Sequence, residues 1–300
     1  MLKKKDKLVS LAVERIELSA SNKASESVRE LKRQGVDVIN LTVGVPDFDT
    51  PDYIKDAAYS AMLNGETKYT SIHGTDVLKK AVIQKFQKDH NRTYHSDEIA
   101  VSAGAKQIIF NAFMATLDAG DEVILPKPSY ISYSAAVQLI GGSVIEVPTS
   151  ENNFHLPLDK IESLITSRTK WIIINSPNNP SGVVYNRGEL EGLAEILKKN
   201  KHVMVLSDDV YESLTFDKFK FLSLVQIAPD LVDQVLTVNS VSKTYAMTGW
   251  RIGYAAGPKR LIKAMAKVQS QSTAAPCSIS QAAAVAALNG SHEVIFKFNF

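Results

Sequence analysis

The sequence predicts an α/β fold, a mostly parallel sheet lying between helices, and three observations carry that prediction. Helical periodicity and short apolar runs alternate along the chain. The apolar runs are rich in Val and Ile and lack strict alternation, as expected of strands covered on both faces. Polar, small and charged residues gather where four of these runs end, and parallel sheets bind ligands beyond the carboxyl ends of their strands.

Helical spacing covers 22–34, 51–63, 75–90, 105–117, 129–140, 187–200 and 258–271. Between these segments lie the strand candidates EIAVSAG, DEVILP, SVIEVP, KWIIINSP, HVMVLSD and QVLTVN, and a further strand-like run follows Arg251. No repeat or low-complexity linker interrupts the alternation.

Composition sets the outer bounds. Of 300 residues, 45% are hydrophobic and 22% charged, enough apolar material for a sizeable core. A net charge of +2 provides no field for nucleic acid or an acidic membrane. The opening KKKDK reads as a solvated tail, and no apolar run has signal-peptide or bilayer-spanning character. The single Cys277 excludes an intrachain disulfide framework and fits a reducing compartment, so the expected setting is cytoplasmic.

The strand ends hold the candidate chemistry. In SAGAKQ a strand meets a small-residue turn and a helix start, where free N–H groups favour an anion and Gly104 and Ala105 allow close approach. Such turns are also common structural features. In SDDVY, Asp208 reads either as a helix N-cap or as a carboxylate holding a cationic ring nitrogen, with Tyr211 supplying a phenol. NSPNNPSG is a turn that also presents the Asn179 amide. In NSVSKTYAMTGWRIGYAAGP, Lys243 stands among small residues after an apolar strand, where desolvation lowers an amine pKa and makes it a nucleophile. Ser240 and Arg251 would flank a dianionic phosphate there. The S-x-x-K pattern of Ser240 and Lys243 also occurs in penicillin-binding enzymes, but SDD replaces SDN here and no KTG is present. A Schiff-base lysine, a phosphate cup and an acid for a ring nitrogen together make up a pyridoxal phosphate site.

At these residues the sequence resembles the class I aminotransferases of PLP fold type I, nearest to the bacterial and archaeal aspartate aminotransferase branch. The likeness runs from about Leu18 to Ala287, through LTVGVPDFDTP, KYTSIHG, SAGAKQ, DEVILPKPSYISY, NSPNNPSGVVY, SDDVYE and SVSKTYAMTGWRIGYAAGP. The resemblance implies a seven-stranded-type sheet and pyridoxal 5'-phosphate as cofactor. By it, Lys243 would form the Schiff base and move the proton at the substrate Cα. Asp208 would pair with the ring nitrogen, and Tyr211 and Asn179 would bond the ring oxygen. Gly104, Ala105, Ser240 and Arg251 would hold the phosphate. Tyr69 is similar to the tyrosine that reaches the neighbouring subunit's phosphate, which implies a homodimer. Gly44 would offer its N–H to the substrate α-carboxylate, and Lys106 would approach a distal carboxylate.

Two departures qualify the likeness. Tyr130 stands over the cofactor position where aspartate-directed members usually carry tryptophan, which leaves the amino donor open. No arginine follows Arg260, whereas family members clamp the α-carboxylate with an arginine from a C-terminal small domain. The domain expectation is therefore an arm and small-domain segment over 1–45, a large PLP-binding domain over 46–290, and a divergent tail over 291–300 in a C-terminally truncated chain. The expected activity is ping-pong transfer of an amino group, from aspartate first, to 2-oxoglutarate. A PLP-dependent C–S or β-lyase shares all the cofactor residues, and a PLP-binding chain without turnover would explain the absent arginine.

Overall fold

The computed structural model describes residues 8–17, 20–217, 219–291 and 293. The basic run of the expected solvated tail, and all of 291–300 except Ser291 and Glu293, lie outside the described residues. Seven strands form one sheet: β1 Ile99–Ser102, β2 Glu122–Lys127, β3 Ser143–Pro148, β4 Thr169–Asn175, β5 Met204–Asp208, β6 Val235–Ser240 and β7 Gly253–Ala256. Their order is β1-β7-β6-β5-β4-β2-β3. All pairings are parallel except those of β7, which runs antiparallel to both β1 and β6.

The expected helices form at Ala20–Arg33, Asp52–Leu63, Asp76–His90, Ala105–Thr116, Ile131–Ile140, Arg187–Lys199 and Lys259–Ser270. A further helix, Ser278–Asn289, packs its alanine-rich side on Asp52–Leu63 and Asp76–His90. Arg187–Lys199 begins in a capping box, in which Asn186 Oδ1 accepts from Glu189 N–H and the Glu189 carboxylate accepts from Asn186 N–H. Helices lie on both faces of the sheet, and apolar side chains alternate between them along each strand. Leu236 and Val238 of β6 meet Ile108, Phe113 and Met265 on one face, while Val235 and Val205 meet Leu193 and Leu197 on the other.

Double-sided burial holds for β1, β2, β4, β5, β6 and β7. The edge strand β3 departs from it, with Ser143, Glu146 and Pro148 exposed: its main helical neighbour is Ile131–Ile140, whereas the other edge strand, β1, packs against Asp76–His90, Ala105–Thr116 and Lys259–Ser270. Among the described residues no helix is long and apolar enough to cross a membrane.

Parallel β4 and β5, and the reversed β7 between β1 and β6, bring the strand ends to one edge. Asn175 lies beside Asp208, and Ser102 and Ser240 both lie beside Gly253. The chemistry-bearing loops therefore emerge along a common line.

Candidate active site

Ser240 ends β6 and caps the four-residue helix Val241–Thr244, its hydroxyl accepting from Ser242 N–H (2.9 Å). That turn carries Lys243. The flanking Val241, Tyr245 and Met247 are anchored in the apolar layer, so the lysine stem rises from a fixed base. Burial, and then the Arg251 guanidinium, push the Lys243 ammonium below its ordinary pKa. Its Nζ lies 5.9 Å from the Tyr211 ring centroid and donates to the carbonyl of Gly44. Gly44 thus meets the lysine through its C=O.

Asp208 ends β5 and is buried. No helix follows it, so the N-cap reading fails; Oδ1 accepts instead from Val210 N–H in a local turn (3.3 Å). Its Oδ2 accepts from the Tyr133 phenol (2.6 Å). Burial raises the carboxyl pKa to about 6, against the lowering effect of these two donors. Asn175 at the end of β4 fixes the neighbouring backbone, its Nδ2 donating to Asp208 O (2.8 Å) and its Oδ1 accepting from Asn179 N–H (2.8 Å). Asn179 Nδ2 then donates to the Tyr211 phenol (3.3 Å). Burial, with the Asp208 carboxylate adding to it, pushes that phenol up to about 12.

Gly104 has φ +91° and caps helix Ala105–Thr116. A side chain there would overlap the Arg251 guanidinium, which packs directly on the turn. Arg251 is held by Thr248 O (2.9 Å) and Ala103 O (3.3 Å) and has φ +56°, an unusual backbone for a non-glycine residue. The Arg251 guanidinium packs on the first turn of this helix, and Ser240 donates to the Ser242 hydroxyl (2.8 Å) at the turn that carries Lys243; a guanidinium beside the first N–H groups of a helix suits a dianion. Ser240 itself is buried and also donates to Ile252 O (3.0 Å), so its hydroxyl is already engaged.

Residues 36–299 match the family model for aminotransferase class I and II. The chain belongs to this aminotransferase family. A probable aspartate/prephenate aminotransferase of Rickettsia conorii is 53% identical over 289 residues, covering 96% of this chain and 72% of the relative. The crystal structure of the Rhizobium meliloti aspartate aminotransferase superposes with a TM-score of 0.93 at 48% identity, over 97% of this chain and 73% of that one. The Thermus thermophilus aspartate aminotransferase with maleate gives 0.91 at 42% identity, over 97% and 75%. Aminotransferase membership and the mostly parallel seven-stranded fold are thus established together.

Within this aminotransferase, Tyr130 caps helix Ile131–Ile140 and meets Tyr133 edge-on (5.6 Å between centroids), and the Lys106 ammonium stands 5.4 Å from the Tyr130 ring centroid. Tyr69 is the outlier. It is 99% exposed on the loop between helices Asp52–Leu63 and Asp76–His90.

Four contributors escape sequence reasoning: Tyr133, Asn175, Ser242 and Gly253. The spacing of Tyr130 and Tyr133 on one helix was a signal, since residues three apart share a face. Gly253 gave none. A Cβ at Gly253 would collide with the Gly104–Ala105 backbone, so β7 approaches the helix start only because this residue lacks one.

Proposed function

We propose that this aminotransferase uses pyridoxal 5'-phosphate to move an amino group from aspartate to 2-oxoglutarate, as a homodimer with shared sites. The observation that carries the reading is one amine, Lys243, that lies 5.9 Å from the Tyr211 ring centroid and has its pKa lowered by burial and by Arg251, in a protein whose buried Asp208 has a pKa of about 6 and whose Arg251 packs on a helix N-terminus. The donor set fits the cofactor. Lys243 would hold its aldehyde carbon and Asp208 its ring nitrogen. Asn179 and Tyr211 would take the ring oxygen, and Arg251, Ala105 N–H and Ser242 the phosphate, with Gly104 allowing their approach and Ser240 supporting Ser242. The cofactor, when bound, supplies a sink for the electron pair left at the substrate Cα.

The remaining chemistry belongs to the chain. Lys243, with its depressed pKa, takes the Cα proton and returns it, and a lower pKa raises the neutral fraction able to do so. Asp208 in its charged form keeps a proton on the ring nitrogen. Tyr130 would lie against the cofactor ring, and Lys106, 5.4 Å from the Tyr130 ring centroid, would offer a charge to the distal carboxylate of a dicarboxylic substrate. Gly44 N–H would meet the α-carboxylate. Tyr69, almost fully exposed in its own subunit, would reach the partner's phosphate. We place the enzyme in the cytoplasm on the same reading, supported by its single cysteine.

The relatives' names supply aspartate as donor, and the Rickettsia name adds prephenate as an acceptor to assay. Incubation with the cofactor, aspartate and 2-oxoglutarate should yield oxaloacetate and glutamate in equal amounts. Release of ammonia and pyruvate from a β-substituted amino acid, without transfer, would assign a lyase instead.

A further inference from the structure

Gln269, buried on helix Lys259–Ser270, uses its amide completely. Nε2 donates to Ile72 O (2.7 Å) and Val101 O (2.9 Å). Oε1 accepts from Asn111 Nδ2 (2.9 Å) and from the Ser102 hydroxyl. These four partners come from three parts of the molecule. Val101 and Ser102 end β1 and lead straight into Gly104, while Asn111 lies on the helix that Gly104 caps. Ile72 lies three residues beyond Tyr69.

A second buried glutamine holds the same loop. Gln281 Oε1 accepts from Thr75 N–H (2.8 Å), and its Nε2 donates to Thr70 Oγ1 and Pro276 O (2.9 Å each). Between them Gly74, at φ +90°, lies so close to Val101 that a Cβ would stand 2.7 Å from Val101 Cγ2. The loop is therefore pinned on both sides of Ile72, and its anchors share a residue with the anion-binding turn. Tyr69 has near-total exposure yet is carried on a tightly held segment. Its position is set by the buried glutamines rather than by contacts of its own ring.

We propose that Gln269, assisted by Gln281, is a positioning residue that locks the phosphate cup of its own subunit and the Tyr69 segment offered to the partner into one rigid unit. The inference rests on the reading that Tyr69 crosses to the partner's phosphate. A change in either cup is thereby felt at the other site of the dimer through a path of hydrogen bonds and one packed glycine.

The test compares pyridoxal phosphate with pyridoxal, which lacks the phosphate, in titrations of the cofactor-free full chain. Thermal melts of the same proteins monitor folding. Gln269→Met, which keeps the bulk and removes the amide, should weaken pyridoxal phosphate about tenfold and leave pyridoxal unchanged. Tyr69→Phe should cost less in that background than in the wild type. Gln281→Met touches no cup residue and should reproduce the Tyr69→Phe loss, with no further loss when the two are combined. It carries the test alone if Gln269→Met does not fold. Wild-type affinity in the glutamine variants, equal weakening of both ligands, or losses that multiply with Tyr69→Phe would overturn the proposal. If Tyr69→Phe alone binds normally, the cross-subunit reading fails; any effect of Gln269→Met is then confined to its own cup, and the coupling falls too.

Discussion

The Tyr133 phenol donates a 2.6 Å hydrogen bond to Oδ2 of Asp208, joining the first turn of helix Ile131–Ile140 to the end of β5 inside the protein. This bond works against burial, which drives the Asp208 carboxyl up to about 6. Tyr133 does not itself contact the reacting atoms on this account; it sets the charge state of the residue that does.

Tyr133→Phe should therefore raise the Asp208 pKa further, since the variant loses a donor that favours the carboxylate. The carboxylate would then be lost at a higher pH on acidification. The acid limb of the kcat profile should move towards neutrality, by about one pH unit for a bond to a charged group. A pH–rate profile that coincides with wild type would contradict this.

Gly253→Ala should lower stability by about 2 kcal/mol or more, because its Cβ would meet backbone atoms of Gly104 and Ala105 rather than a side chain that can swing away. Gly249→Ala is the matched control, as nothing lies within 4 Å of its added carbon. That variant should stay within about 0.5 kcal/mol of wild type. Urea unfolding of both reads the difference.

A buried cluster behind the candidate site makes a pH prediction. Glu212, next to Tyr211, pairs with Lys85 and with His90 Nε2 (2.7 Å). Burial opposes its ionisation, but Lys85 and then His90 outweigh burial and hold the carboxyl at about 2. A depressed acid adds stability above its unfolded pKa and loses it on acidification. The Glu212 contribution should thus be complete at neutral pH and fade as pH falls from 4.5 towards 2. Glu212→Gln should be about 3 kcal/mol less stable at pH 7, and the gap to wild type should narrow through that window. A pH-independent gap in thermal melts would refute the assignment.

Arg251→Lys should bind pyridoxal phosphate about tenfold more weakly, since an ammonium cannot reproduce the guanidinium fork beside Gly104. Affinity for pyridoxal should not change. Equal affinity of the variant and wild type for the phosphorylated form would place the anion elsewhere.

What the sequence made legible was local. Lys243, Asn179 and Gly104 each follow an apolar strand and Asp208 ends one, and the sheet carries all of those ends to one edge, with β7 reversed between β1 and β6. Ser240 and Arg251 lie close to Lys243 in the chain, so one short segment suggests a phosphate. Partners far apart in sequence were hidden. Tyr133 meets Asp208 across 75 residues, Gln269 meets Ser102 across 167, and Gly253 meets Ala105 through a close backbone approach that no periodicity encodes. The reversed direction of β7 was equally hidden, because four apolar residues do not state which way they run. Nor did composition distinguish β3, which has fewer helices packed on it than the other edge strand, β1.

The central claim is that Lys243 is the amine that carries the cofactor. Visible absorption of the purified protein with pyridoxal phosphate tests it most directly, before and after borohydride reduction. The wild type should show a visible band that shifts on adding aspartate, and a reduced cofactor bonded to the Lys243 peptide. Lys243→Ala should show neither. A wild type without the band, or a cofactor fixed to another lysine, would contradict it.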